Sequence, residues 1–258
     1  ADRISELLGL KNKFSVEDFC SMQLDLYDLR AKDELSDLIK ILKESEDKEI
    51  RLASKVLEEW DCCASTESIG ACLYYPFLDR FWQRKYMYKV LKDELINQLP
   101  LAAPGLNRFD ISSFIKPTAD WKHHEKLLKT TIQEEMKIVV DRVKLSLGND
   151  YSKWRWGDLH KIQFRHSLNN YTSWEKLKLG PDEIGGSTTT LGMAMHIGKG
   201  PGKTNKDEIP CRVFHGPAYR LVVDLADSQH AKFVIAGGNG GRADSDFCLN
   251  QYLSLIHI

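Results

Sequence analysis

The feature that most constrains this 258-residue chain is a change in hydrophobic periodicity near Gly148. Before this point, apolar residues recur every three or four positions with charged residues between them, which is the pattern of amphipathic helices. After it, alternating and β-branched segments are separated by turns rich in glycine and proline, which indicates antiparallel strands joined as hairpins. The sequence therefore predicts an α+β fold, with a helical region over residues 1–147 and a β-rich region over residues 148–252.

Local signals place several helices and strands. Ser15 and Asp18 form a capping-box pattern, with aspartate where glutamate or glutamine is usual. A strongly apolar stretch predicts a buried central helix over residues 69–82, which Pro76 should kink or interrupt. A long amphipathic helix is predicted over residues 121–147. Strands are predicted over residues 188–196, 212–214, 219–225 and 233–236.

Composition and charge exclude several classes of function. The formal net charge is −1, so no global field favours nucleic acid or an anionic membrane as a partner. No apolar run approaches the roughly 18 residues that a membrane span needs. The six cysteines are irregularly spaced and include no CxxC pair, which favours free or buried thiols over a zinc site. We therefore expect no nucleic-acid partner, no membrane span and no metal held by this chain.

An aromatic segment at the start of the β-rich region is the most distinctive local motif. It reads Trp-Arg-Trp-Gly-Asp-Leu-His over residues 154–160, and a second histidine, His166, follows. The two tryptophans and Gly157 supply bulky anchors and a turn before a strand. The sequence shows no nucleophile that His160 or His166 could activate. The residues alone therefore favour structural imidazoles, which satisfy backbone groups by hydrogen bonding, over catalytic imidazoles.

This segment resembles the Trp-x-Trp-Gly-x-x-His motif of the penicillin acylase (penicillin amidase) family. Three further stretches resemble motifs of that family in the same order: Leu-Glu-Glu-Trp-Asp at 57–61 with Ser-Thr-Glu-Ser at 65–68, His-Gly-Pro-Ala-Tyr-Arg-Leu-Val-Val-Asp at 215–224, and Ala-Gly-Gly-Asn-Gly-Gly at 236–241 with Ser245. In the last of these, Gly240 stands where the family usually has serine. Each stretch alone is weak evidence for the resemblance. Four stretches in the same order, covering nearly the whole chain, make the resemblance specific to this family.

The resemblance implies an N-terminal nucleophile hydrolase with a four-layer αββα core, which the strands of this chain would complete. In such enzymes, a serine at the start of a processed chain attacks a linear acyl amide, and its own α-amino group acts as the base. Ala1 has no side-chain nucleophile, and the resemblance places the nucleophile and the oxyanion-hole asparagine upstream of the matched motifs. We therefore expect a C-terminal fragment of a penicillin-acylase-type amidohydrolase, inactive by itself.

One active-site residue of the family has a counterpart here. The family places an arginine at the head of a helix reading Arg-Ile-x-x-Leu-Leu, and residues 3–8 read Arg-Ile-Ser-Glu-Leu-Leu. The resemblance implies that Arg3 supports catalysis by orienting the oxyanion asparagine of the upstream part, a task that suits the planar guanidinium. The residues alone favour a solvated arginine in a first helical turn. Five further motif residues are interpreted as architectural rather than catalytic: Trp156, Gly157, Tyr219, Arg220 and Asp224.

The same resemblance implies the partners and the setting of the protein. The partners are the upstream remainder of the precursor (its α chain and the N-terminal part of its β chain) and a small-molecule acyl amide as substrate. No cofactor is expected in this chain, although the family often binds a structural calcium through upstream residues. Periplasmic or secreted localisation is expected. The alternative function, favoured by the helical first half and the incomplete catalytic constellation, is a non-catalytic helical interaction or scaffold module.

The last six residues, 253–258, are interpreted separately from the two regions. They read Leu-Ser-Leu-Ile-His-Ile, which is the in-frame translation of a transposase adapter used in sequencing libraries. The family would continue with further coding sequence at this point. We therefore interpret the segment as a non-native tail, with a genuine apolar terminus as the alternative.

Overall fold

Helices form the first half of the protein and strands the second, so the predicted α+β class is confirmed. The computed structural model describes residues 1–79, 85–86, 89–90, 124–165, 178–196, 211–240 and 245–252. The predicted tail at 253–258 lies outside these residues. The helices are α1 (Asp2–Leu8), α2 (Val16–Met22), α3 (Leu29–Lys43), α4 (Lys48–Glu58), α5 (Ala71–Asp79), α6 (Glu125–Leu147) and the one-turn helix α7 (Trp156–Leu159).

Local capping determines where three of the helices begin. The Ser15 hydroxyl accepts a hydrogen bond from the backbone N–H of Asp18 at 3.2 Å, and the Asp18 carboxylate accepts one from the N–H of Ser15 at 2.7 Å. The predicted capping box of α2 is therefore confirmed. The carboxylates of Asp28 and Asp47 cap α3 and α4. Each cap satisfies N–H groups that the first helical turn leaves without partners.

The helical region packs around one large hydrophobic core, to which α3, α4, α5 and α6 all contribute. Every residue of α5 from Ala71 to Phe77 is buried, Pro76 among them. The helix continues across Pro76, so the predicted interruption does not occur. An interior proline costs about 3 kcal/mol, and burial of several large side chains at about 1.5–3 kcal/mol each outweighs that cost. Within the described ranges, no helix, α5 included, is long and apolar enough to cross a membrane.

The strands form two sheets. The first contains β1 (His160–Arg165), β2 (Lys178–Glu183), β3 (Met195–His196) and β4 (Cys211–His215) in the order β2-β1-β4-β3. The second contains β5 (Tyr219–Val222) and β6 (Lys232–Ile235). These two strands pair antiparallel, in agreement with the predicted hairpins. The pairs β1–β2 and β3–β4 are also antiparallel, but β1 and β4 are parallel. A tight turn cannot join parallel strands, and between β1 and β4 the chain passes through β2 and β3, which is long enough to allow the parallel pairing.

The predicted strand over residues 188–196 is much shorter in the structure, where only Met195–His196 is a strand. The preceding residues form turns closed by hydroxyl groups. The Thr190 hydroxyl accepts from the N–H of Ser187 at 2.9 Å and donates to the carbonyl of Gly192 at 3.0 Å. Serine and threonine side chains offer the backbone an alternative to ladder hydrogen bonds, which explains the loss of strand structure here.

The first two motif segments, which are far apart in sequence, contact each other directly. The N–H of Trp156 donates to the carbonyl of Ser68 at 3.1 Å, and the N–H of Gly157 donates to the carbonyl of Thr66 at 2.8 Å. A Cβ atom at Gly157 would lie 2.7 Å from a carboxylate oxygen of Glu183, so only glycine fits without displacing that side chain. These contacts attach the helical core to the first sheet.

Candidate functional site

Arg3 lies at the beginning of α1, and its guanidinium is held on several sides. Nε and Nη2 donate to the two carboxylate oxygens of Asp25, at 3.0 and 2.7 Å. Nη1 donates to Glu6 at 3.0 Å, and the guanidinium carbon lies 4.6 Å from the centre of the Tyr27 ring. The hydrogen bond to Asp25 is the largest cause of a raised pKa of Arg3, so the guanidinium stays charged. With 25% of its side chain exposed, Arg3 is a fixed cation and not a freely solvated one.

Asp25 and Tyr27, the two partners of Arg3 outside α1, belong to a short segment that the core keeps in place. Residues 26–28 run antiparallel to residues 62–64, with a bridge between Tyr27 and Cys63. Backbone N–H groups of both segments donate across the pair at 2.9 Å. Residues 62–64 directly follow the Leu-Glu-Glu-Trp-Asp motif, and the indole N–H of Trp60 donates to the carbonyl of Cys63 at 2.9 Å. The motif therefore supports the segment that holds the guanidinium, because Trp60 holds residues 62–64 and these pair with residues 26–28.

Asp28 is a fully buried carboxylate within the same segment. Its Oδ1 accepts from the N–H groups of Arg30 and Ala31, at 3.0 and 3.2 Å. Its Oδ2 accepts from the phenol of Tyr75 at 2.9 Å and from the hydroxyl of Thr189. Burial, with the charge of Asp28 as a further cause, raises the pKa of Tyr75 well above its usual value, so the phenol stays protonated and donates. These bonds compensate the buried charge and join α3, α5 and the loop before β3.

His160 is fully buried between backbone carbonyls and an aromatic ring. Its Nδ1 lies 2.7 Å from the carbonyl oxygen of Ile184, and its Nε2 lies 3.1 Å from that of Ala194. Its ring stacks on Trp156 with a centroid distance of 4.4 Å. The interpretation of His160 as an imidazole that satisfies backbone groups is confirmed. His166 lies outside the described residues.

The buried imidazole of His160 makes the folded state sensitive to acid. Burial, with a smaller contribution from His196, lowers the pKa of His160 from 6.5 to about 3, although the two carbonyls act in the opposite direction. Between these pH values the unfolded chain binds a proton at this imidazole that the folded chain does not. The contribution of neutral His160 to the free energy of unfolding is therefore complete above pH 6.5 and is lost as the pH falls toward 3. We expect this group to lower the free energy of unfolding by about 1.4 kcal/mol per pH unit in that window.

Urea unfolding at a series of pH values checks this prediction, because it measures the free energy of unfolding directly. The control is His160→Gln, which keeps one side-chain donor for the carbonyls and removes the titrating ring. The variant should show a shallower dependence of unfolding free energy on pH. Parallel pH dependences for the two proteins would contradict the assignment.

The residues of the third motif that were interpreted as architectural lie at and after β5. The guanidinium of Arg220 donates to the carbonyl of Gln23, which attaches β5 to the end of α2. Burial lowers the pKa of Arg220. Tyr219 and Asp224 are exposed. Arg220 therefore helps to fix the position of Gln23, which lies between the end of α2 and Asp25.

The departure from the family pattern at Gly240 has a local cause. The N–H of Gly240 donates to the carbonyl of Phe247 at 2.8 Å. A Cβ atom at Gly240 would lie 2.9 Å from the backbone nitrogen of Cys248. The backbone approaches so closely that a serine side chain has no room unless the turn shifts.

Neither the carboxylates that hold Arg3 nor the buried Asp28 was identified from the sequence. Asp28, which does not contact Arg3, had a recognisable signal, because it directly precedes the apolar repeat of α3, where an N-cap is expected. Asp25 has no comparable signal among the 37 acidic residues of the chain. The free-thiol prediction is confirmed for five of the six cysteines: Cys20, Cys62, Cys63, Cys72 and Cys248.

The α+β architecture, with the four motifs in order, agrees with the class of N-terminal nucleophile hydrolases. A profile of the penicillin amidase family matches residues 1–255. The chain therefore belongs to the penicillin amidase family, and its function is of the amidohydrolase type. Comparison with curated proteins found no match. The family match includes residues 253–255, the beginning of the segment interpreted as a non-native tail, and that interpretation stays a prediction.

Proposed function

We propose that this chain is the C-terminal part of a penicillin-acylase-type amidohydrolase that cleaves a linear acyl amide. The observation that carries the proposal is the family match over residues 1–255. In this proposal, the nucleophile is a serine at the start of the β chain, upstream of the matched motifs, where the oxyanion-hole asparagine also lies. The partners are the α chain and the N-terminal part of the β chain of the same precursor, and the substrate is a small-molecule acyl amide.

The role proposed for Arg3 is to orient the oxyanion-hole asparagine. A guanidinium has five N–H groups. Three of them donate to Asp25 and Glu6 in the part of the chain that the structure describes. A remaining N–H can donate to the side-chain carbonyl of the asparagine and so turn its NH₂ group toward the oxyanion. The proposed serine attacks the amide carbon, its α-amino group takes the proton, and the asparagine stabilises the negative charge that develops on the oxygen.

The setting of the enzyme is also part of the proposal. We place it in the periplasm or outside the cell, on the strength of the family resemblance. We assign the structural calcium of the family to upstream residues. Within the described ranges, no group of three or more histidine, cysteine, aspartate or glutamate side chains is arranged to hold a metal ion, and we assign no calcium ligand to this chain.

The chain by itself is expected to hydrolyse neither penicillin G nor a chromogenic phenylacetyl anilide. The physical reason is that Ala1 offers no side-chain nucleophile, so no acyl-enzyme forms. The measurement is turnover of both compounds with and without a reagent that modifies active-site serines. Turnover that the reagent abolishes would refute the proposal.

The matched experiment joins the chain to its natural upstream coding sequence. The intact protein should hydrolyse at least one linear amide from a panel of β-lactam, acyl-homoserine lactone and lipopeptide substrates. Replacing the proposed N-terminal serine with alanine is the control and should abolish turnover. An upstream reading frame without such a serine and asparagine would favour the alternative interaction module.

A further inference from the structure

We infer that Asp25 is the positioning residue for Arg3, and through Arg3 for the oxyanion-hole asparagine; this inference rests on the proposed function. Arg3 and Asp25 form a bidentate pair, with Nε–Oδ1 and Nη2–Oδ2 distances of 3.0 and 2.7 Å. Two parallel N–H···O bonds fix the direction of a guanidinium and the rotation of its plane, whereas a single bond leaves the plane free to turn. The orientation of the Arg3 plane is therefore determined by the carboxylate of Asp25.

Asp25 is itself held firmly by backbone groups. Its Oδ1 also accepts from the N–H of Tyr27 at 3.2 Å. Its carbonyl accepts from the N–H of Gly192 at 2.8 Å, and its own N–H donates to the carbonyl of Met22 at 3.2 Å. The carboxylate is thus positioned by the end of α2 and by the loop before β3, so it can serve as a fixed reference for the guanidinium.

Glu6, the other carboxylate on Arg3, cannot provide such a reference. It lies three residues along the same helix, and 45% of its side chain is exposed, compared with 16% for Asp25. A partner on the same helix moves with Arg3 and does not define where α1 lies relative to the core. Asp25 lies 22 residues away, on a segment that the core holds. It therefore connects the head of α1 to the rest of the protein.

The pairing also leaves the guanidinium able to bind a further acceptor. Asp25 takes the edge formed by Nε and Nη2, and Glu6 takes one N–H of Nη1. Among contacts with the described residues, one N–H on each terminal nitrogen is not used. The unused N–H of Nη2 points away from Nε, because Asp25 accepts from the one beside Nε. An amide oxygen there would be fixed by Asp25 through one rigid, planar group.

The test uses variants of the intact precursor: Arg3→Lys, Asp25→Asn, the two together, and Asp37→Asn as the control. Asparagine keeps the size of Asp25 and an oxygen for the N–H of Tyr27, but it cannot accept both guanidinium bonds. The control removes the charge of an aspartate that pairs with Lys40 in α3 and contacts neither Arg3 nor Asp25.

We expect Asp25→Asn to lower kcat on the order of tenfold or more, up to the loss expected for Arg3→Lys, with KM within about twofold. The double variant should be no worse than Arg3→Lys alone, because both changes remove one interaction. Asp37→Asn should leave kcat within about twofold. In an intact enzyme that is active, an unchanged kcat for Asp25→Asn, or full additivity in the double variant, overturns the inference.

A second measurement does not depend on activity. In the full chain with ¹⁵N-labelled arginine, the Arg3 Nε–H signal, identified by its absence from Arg3→Lys, should exchange slowly with water. Asp25→Asn should make it exchange much faster, and Asp25→Glu, which keeps the carboxylate, should partly restore the protection. If the intact precursor hydrolyses no linear amide, the proposed function fails, while this signal still tests the pairing. A signal that Asp25→Asn leaves unchanged overturns the inference even if the enzyme is active.

Discussion

Arg3→Lys in the intact amidase is expected to lower kcat by up to 10²–10³-fold, on the order of the loss of one oxyanion-hole donor, with KM nearly unchanged. Lysine keeps the positive charge but replaces a planar fork by a point charge with three freely rotating donors. It cannot engage both oxygens of Asp25 and still present a fixed N–H to the proposed oxyanion-hole asparagine. The loss should fall on kcat because, in the proposed role, the asparagine contributes most when negative charge develops on the oxygen.

Steady-state kinetics combined with a thermal melt measure this effect on the intact protein. The pair between Arg3 and Asp25 is partly exposed, so its loss should change the free energy of unfolding by about 1 kcal/mol or less. An unaltered kcat would leave the Arg3 pair with a purely structural role. A large drop in melting temperature with a matching loss of active protein would also make the role structural.

Trp156→Ala is expected to lower the free energy of unfolding by about 3–5 kcal/mol, a large part of the roughly 5–15 kcal/mol that stabilises a typical domain. The indole is 0% exposed. It stacks on His160 and packs against the ring of Tyr75 at a centroid distance of 5.1 Å. Its N–H donates to the carbonyl of Gly186 at 3.2 Å. Alanine would leave a cavity where the helical core meets the first sheet, and an unpaired carbonyl within it.

Urea unfolding of the full chain measures this loss, with Phe247→Ala as the matched control. Phe247 is also aromatic, but 63% of it is exposed, so its removal should change the unfolding free energy by about 0.5 kcal/mol or less. Trp156→Phe should fall between the two because it keeps most of the ring contacts. A loss of less than about 1 kcal/mol for Trp156→Ala would show that the region collapses around the smaller side chain.

Local signals in the sequence predicted much of the helical half. The capping box at Ser15 and Asp18 is present in the structure, and the long helix predicted over residues 121–147 is found as Glu125–Leu147. Gly148 ends that helix with a φ of 89°, in the region that favours glycine. Each of these features depends on interactions within one or two helical turns, which residue spacing encodes directly.

The strands were predicted less completely, for a physical reason. Segments 219–225 and 233–236 correspond to the antiparallel pair β5–β6, since adjacent strands joined by a short connection pair locally. The parallel pairing of β1 with β4 joins residues about fifty positions apart, such as Ile162 and Val213. Alternation along a strand shows which faces are apolar, but it does not show which distant strand lies beside it.

The sequence by itself determined the fold class and the order of the family motifs, and it made Arg3 a candidate site residue. Only the tertiary structure decided what holds Arg3, because its partner Asp25 lies 22 residues away and has no local signal. The tertiary structure also decided the pairing of Asp28 with Tyr75, because these residues meet across 47 residues inside the core. The charge and shape of a side chain are properties of one residue. The partner that it meets depends on the path of the chain, and burial of α3 and α5 together with the backbone pairing at residues 62–64 sets that path.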